Sequence, residues 1–178
     1  VIAESTNYDP AKHGETFPEA SKVTYEFPAK GKRGPVKIIW RDGKRMPKRP
    51  ESLEENRQLP GKGALVHGTE GTIMYGSHGA RSCRIIPEEK MKAYEQPEKT
   101  IPRSTGHWKE WLEACKGGPP AGSNFDYGAP LTEIALLGII AILNPGQKLE
   151  WDAEAGKITN HEPANALLRQ EYRQGWTL

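Results

Sequence analysis

Ten consecutive apolar or small residues, Ile134–Leu143 (IALLGIIAIL), constrain this chain more than any other feature. The run is too short to span a bilayer and reads as a helix buried in a core. No membrane partner is expected. The helix is predicted to run from Pro130 to Leu143, with Pro130 in a first turn where its missing N–H costs nothing. Asn144-Pro145-Gly146 stops it.

The first half of the chain follows a different period. Val23, Tyr25 and Phe27 alternate with Thr24 and Glu26, the pattern of a half-buried strand. Val1–Ser5 is a candidate edge strand, and Val36–Arg41 is a second strong strand ended by the Asp42-Gly43 turn. Residues 43–63 show little periodicity and read as a surface excursion or interface element, with at most a helical turn near Ser52–Asn56. Ala64–Gly68 and Thr72–Tyr75 read as a hairpin in which Gly71 supplies a positive φ. Arg81–Ile86 is a further strand, and Pro87 opens a short helix. Late in the chain, Lys148–Trp151 and Lys157–Thr159 form a small strand pair. Asn160 is placed to cap a last helix carrying Ala164, Leu167, Leu168 and Tyr172, and the tail 175–178 is apolar enough to pack back. Strands first and helices afterwards give an α+β domain over residues 1–178: an open, mostly antiparallel sheet with helices on one face.

Residues 101–127 (IPRSTGHWKEWLEACKGGPPAGSNFDY) carry the most chemistry. Ser104 or Thr105 is placed to cap a helix with Trp108, Trp111, Leu112 and Cys115 on one face, which reads mainly as core. Gly117-Gly118-Pro119-Pro120 ends it. His107 falls in the first turn, where the positive helix end favours a neutral ring able to donate to a substrate hydroxyl; the plainer reading is a surface histidine. Asn124, Asp126 and Tyr127 combine amide, carboxylate and phenol, the groups a polyhydroxylated ligand requires. Asp126 equally suits a turn or cap into the next helix.

Several classes are excluded or unannounced. No GxGxxG follows a strand, and there is no P-loop, GxSxG or HExxH. The five histidines share no metal-ligand spacing, so no metal is expected. Cys83 and Cys115 show no disulfide or zinc pattern. The net charge is only +2, and the basic stretch Lys30–Arg49 holds a single aromatic, Trp40. It reads as a solvated loop or a surface for an acidic partner rather than for nucleic acid.

Taken in order, YEFPAKG at Tyr25–Gly31, VKIIWRDG at Val36–Gly43, HGTEGTIMYG at His67–Gly76, GHWKEWLEACKGGPPAGSNFDYGAPLTE at Gly106–Glu133, KLEWDAEAGKITN at Lys148–Asn160 and RQEYRQGWTL at Arg169–Leu178 resemble the C-terminal domain of the Gfo/Idh/MocA family of NAD(P)-dependent oxidoreductases, Bacteroidetes type. The resemblance implies an open antiparallel sheet whose free face supports oligomer contacts and shapes a sugar or cyclic-polyol pocket. It implies that His107, Asn124, Asp126 and Tyr127 line the substrate side. Three family features are missing from the chain: the Rossmann glycines, the Glu-Lys-Pro motif whose Lys serves near the hydride, and the segment supplying the acid–base His. Smaller departures are Gly128-Ala129, where Ala-Gly is commoner, and Asn144-Pro145 before the helix-stopping glycine.

The chain is therefore expected to be a C-terminal substrate and oligomerisation domain, with no catalytic or cofactor-binding residue of its own. NAD(P) is expected only in the intact parent enzyme. The alternatives are a free-standing carbohydrate-binding or assembly module and an independent hydrolase. Localisation is open.

Overall fold

The computed structural model describes residues 1–169 and 171–176. In chain order the elements are β1 (Ile2–Ser5), α1 (Pro10–His13), β2 (Ser21–Phe27), β3 (Val36–Arg41), β4 (Gly63–His67), β5 (Thr72–Gly76), β6 (Arg84–Ile86), α2 (Glu88–Ala93), α3 (His107–Cys115), α4 (Phe125–Leu143), β7 (Trp151–Asp152), β8 (Lys157–Ile158) and α5 (Glu162–Asn165). Among the described residues three open antiparallel sheets form, β1-β2-β3, β4-β5-β6 and β7-β8, and the class is α+β. The chain divides into two compact units, Val1–Met46 with Ser104–Leu178, and Pro47–Arg103.

In the first unit β2 is the central strand. Val23 and Tyr25 are buried with Ala3 of β1, and Phe27 packs against the same core. Leu137, Ile140, Ala141 and Ile142 of α4 close it from one side, with Leu149, Ile158 and Ala164 from the C-terminal elements. The backbones of Val1 and Leu149 exchange two hydrogen bonds of 2.7 Å, tying β1 to the approach to β7. Beyond β3, the Asp42 carboxylate accepts from Ser21 N at 2.6 Å and from its hydroxyl at 2.9 Å. Gly43 then turns at φ 62°, where a Cβ would lie 2.3 Å from the Glu19 carbonyl oxygen, so glycine is required on both counts.

The face opposite α4 carries Glu4 opposite Lys22 and Glu26 opposite Lys37, with Thr24, Arg41 and the exposed Ile39. Lys22 and Glu4 approach to 2.6 Å, and Lys148 reaches Glu26 at 2.8 Å. Such exposed pairs keep a sheet face wet and add little stability. The period of two already set polar Thr24 and Glu26 on the outward side; the pairing across strands supplies their charged partners.

Helix α4 starts five residues before the expected Pro130, because Asn124 caps it. Pro130 therefore lies inside the helix, at an exposed position where water can reach the carbonyl it leaves unpaired. The helix has 19 residues and by length and composition is long enough to cross a bilayer. Its C-terminal half lies against β1 and β2. At the chain end, α5 is only four residues long and has His161 at its N-cap. Asn160 is used elsewhere: its Oδ1 accepts from Glu150 N and its Nδ2 donates to Lys148 O, pinning the β7–β8 hairpin. Leu167, Tyr172 and Trp176 are exposed, and the expected packing of the tail concerns residues that include 177 and 178, outside those described.

The second unit has a small core of Leu53, Met74 and Ile86, with Leu59 and Leu65 against it. The irregular segment 47–62 is thus more than a surface excursion, since Leu53 is buried in that core. Arg49 Nη2 holds the segment's turn by donating to the carbonyls of Leu53 at 2.8 Å and Glu54 at 2.6 Å. Arg84 donates to Glu54 at 2.9 Å and Glu88 at 2.6 Å, joining that turn to β6 and α2. The hairpin β4–β5 forms as expected, but its turn closes through Gly68 N to Gly71 O at 2.8 Å, and Gly71 is not among the glycines of positive φ. A turn closed this way needs no left-handed residue at that position.

Candidate functional site

The N-terminal ends of α3 and α4 carry the residues singled out from sequence. Gly106, at φ 107°, is the N-cap of α3, not Ser104 or Thr105. Ser104 Oγ accepts from Gly106 N at 3.0 Å, so the serine shapes the turn that leads into the helix. His107 is the first helical residue, exposed, with its ring 5.3 Å from that of Trp108. At the other end Gly117 turns at φ 84°; Gly118 N bonds Glu113 O at 2.9 Å and Gly117 N bonds Ala114 O at 3.0 Å. That is a Schellman motif, as the Gly-Gly-Pro-Pro run predicts.

The apolar face of α3 is not core. Trp108, Trp111 and Leu112 are 75%, 60% and 49% exposed, and Cys115 is an exposed free thiol, as is Cys83. Spacing at i, i+3, i+4 and i+7 establishes one apolar stripe; it does not supply the surface to cover it.

Asn124 is the N-cap of α4. Its Oδ1 accepts from Tyr127 N at 3.3 Å, and its Nδ2 donates to Ala121 O at 3.0 Å. Both ends of the amide are therefore engaged in local structure, and the capping role considered for Asp126 belongs to Asn124. Asp126 lies in the first turn, exposed and without an ion pair among the described residues, where a carboxylate suits the positive helix end. Tyr127 and Phe125 are also exposed.

The link between the two helix starts is Glu110, a charged residue on the polar side of α3 that the sequence patterns do not single out. Its Oε2 accepts from Gly122 N at 3.1 Å, joining the middle of α3 to the loop that precedes Asn124. The Ser104 hydroxyl, the Gly122 N–H and the neighbouring His107 hold the Glu110 carboxyl below the usual carboxylate range. A carboxylate one turn after His107 was the only available signal, and its partner is a backbone N–H that no side-chain pattern announces. No hydrogen bond joins His107 to Asn124, Asp126 or Tyr127 among the described residues.

Beside this surface a groove of about 800 Å³ is lined by Phe125, Thr132, Leu136, Trp151 and Leu167, among others. Trp151 Nε1 donates to Glu133 Oε1 at 2.8 Å at its margin. Aromatic faces with a few polar groups are the usual lining of a small-molecule site.

Every strand pair among the described residues is antiparallel, so they contain no parallel βαβ unit of the dinucleotide-binding kind. Among the same residues no group of three or more His, Cys, Asp or Glu could hold a metal ion. No protein-family model, curated protein or solved structure matches this chain.

Proposed function

We propose that this chain is the substrate-side and assembly domain of an NAD(P)-dependent oxidoreductase acting on a sugar or cyclic polyol, without turnover by itself. The observation that carries this reading is the exposed aromatic surface at the starts of α3 and α4. Trp108, Phe125 and Tyr127 are open to solvent, with His107 and Asp126 next to them in sequence. Exposed apolar stripes rimmed by polar groups mark surfaces that meet another body. Sugars stack their C–H faces on such rings and bond their hydroxyls to carboxylates and phenols. Hydride transfer is assigned to a Rossmann domain and the acid–base step to a separate catalytic segment, neither to any residue of this chain. Self-association belongs to the same reading.

Titrating the isolated chain with NADH should give no saturable fluorescence change; a saturable signal in the micromolar range overturns the reading. The reading frame upstream of Val1 should encode a Gly-x-Gly-x-x-Gly turn between a strand and a helix. In that full-length protein the pair Asp126→Asn, Tyr127→Phe should raise KM for the sugar by roughly tenfold with a smaller change in kcat.

The exposure of Trp40 and Trp108 favours a second reading, a free-standing carbohydrate-binding or assembly module. It predicts that a sugar quenches the tryptophan fluorescence of the isolated chain. The first reading predicts no quench until the nucleotide domain is present.

A further inference from the structure

We propose that β3 is a docking strand for a second copy of this chain, which adds its own β3 antiparallel across a two-fold axis at Ile38. This deepens the assembly part of the function above and rests on it only for the expectation of self-association.

The backbone has the groups for such a contact. Strand β3 pairs with β2 and with no other strand among the described residues. Asp42 N donates to Ser21 O, and the register runs from Lys22 opposite Arg41 to Phe27 opposite Val36. Antiparallel ladders alternate, so Trp40, Ile38 and Val36 turn their N–H and C=O groups toward β2. The groups of Lys37, Ile39 and Arg41 then point outward from the edge. An edge of this kind is a template for another strand.

The side chains add an apolar row. Trp40, Ile38 and Val36 lie opposite Val23, Tyr25 and Phe27, on the face that α4 covers over β1 and β2. On β3 that cover is missing: Trp40 is 58%, Ile38 41% and Val36 39% exposed. The row is continuous with the core yet open to water, and a fourth strand would extend it without a break.

Charge selects the register. A two-fold axis at Ile39 puts Lys37 opposite Arg41 of the second copy, and one at Lys37 puts two lysines opposite each other; like charges directly across a ladder are destabilising. An axis at Trp40 sets Asp42 against Ile38. With the axis at Ile38, Lys37 faces Ile39, Trp40 faces Val36 and the two Ile38 side chains meet. Lys37 and Ile39 exchange backbone bonds with their counterparts, and Arg41 N–H meets the carbonyl of Pro35, which has no donor to offer.

Sedimentation velocity of the full chain over a concentration series should show a monomer–dimer equilibrium. Ile38→Arg should raise its dissociation constant by at least roughly tenfold, because it places an unpaired charge on the apolar row. A Cys83→Ser, Cys115→Ser background supplies a second readout. There, Ile38→Cys should form an intermolecular disulfide with oxidised glutathione, since directly opposed non-bonded positions have Cα atoms about 4.5 Å apart. Ile39→Cys should not, because its two copies lie one residue to either side of the axis and so two residues apart along the ladder. A chain that stays monomeric at every concentration overturns the proposal. So does a dimer that Ile38→Arg leaves intact, or one that crosslinks through Ile39→Cys in preference to Ile38→Cys. Failure of the oxidoreductase reading would appear instead as NADH binding, which these measurements do not detect.

Discussion

The phenol of Tyr25 lies against the backbone of Gly138, so closely that a Cβ on Gly138 would be 2.1 Å from the Tyr25 hydroxyl oxygen and 3.5 Å from a Val23 methyl carbon. This contact sets how near α4 approaches β2. A glycine in a helix interior costs roughly 0.5–1 kcal/mol relative to alanine. Here close approach between helix and sheet offsets that cost.

Gly138→Ala should therefore destabilise the first unit by about 1–3 kcal/mol, despite the better helix propensity of alanine. Removing the hydroxyl with Tyr25→Phe should recover part of the loss. Urea melts of the two single variants and the double variant measure the coupling. Additive effects would sink the contact as the cause.

Burial pushes the Tyr25 phenol above its ordinary value of 10.0. A phenol whose folded pKa is raised favours the folded state while it is neutral. That stability is fully present below the unfolded value and is lost as pH rises through the folded one. Urea midpoints should be flat up to about pH 9 and fall above about pH 10. The fall should be smaller in Tyr25→Phe; an identical alkaline limb in both proteins would assign it elsewhere.

Trp108→Ala and Trp111→Ala should change stability by no more than about 0.5 kcal/mol, the usual result at exposed positions. Core tryptophans would cost about 3–5 kcal/mol. Thermal melts separate the two outcomes directly. The pair should also remove any binding partner's protection of this face in hydrogen exchange.

Leu53→Ala should cost the second unit roughly 2–5 kcal/mol, because Leu53 is a buried anchor of an otherwise irregular segment. Faster amide exchange in β4, β5 and β6 is the expected readout. Unchanged exchange there would show that the segment contributes nothing to that core.

The Gly122 amide reports on Glu110. Because the Glu110 carboxyl is held down, its contact with Gly122 N is present above the ordinary carboxyl value of 4.5 and is lost as pH falls through the lower folded value. The Gly122 amide shift should titrate with a midpoint below 4.5. Glu110→Gln should abolish that titration; a midpoint at or above the ordinary value would remove the link between α3 and the α4 cap.

Much of the local structure was legible in the residues. Val23, Tyr25 and Phe27 alternate as a strand must, and the Gly-Gly-Pro-Pro stop produced the expected end of α3. The start of α4 was missed because Pro130 is a stronger visual signal than Asn124, although the amide was the better cap. Leu53 was missed because one leucine in a Pro/Lys/Arg/Glu segment has no period to reveal it. For the candidate site, sequence named His107, Asn124, Asp126 and Tyr127 but not Glu110, whose partner is the backbone of a residue twelve positions away.

By itself the sequence determined the α+β class, the antiparallel order of the strands and the amphipathic stripe of α3, since these follow from periodicity and turn chemistry over a few residues. Only the tertiary structure decided which stripes are covered. It left α3 and β3 facing water, paired the charges of the outer sheet face across strands, and joined α3 to the cap of α4 through Glu110. Burial depends on what a distant segment brings opposite a given face, and no local spacing carries that information.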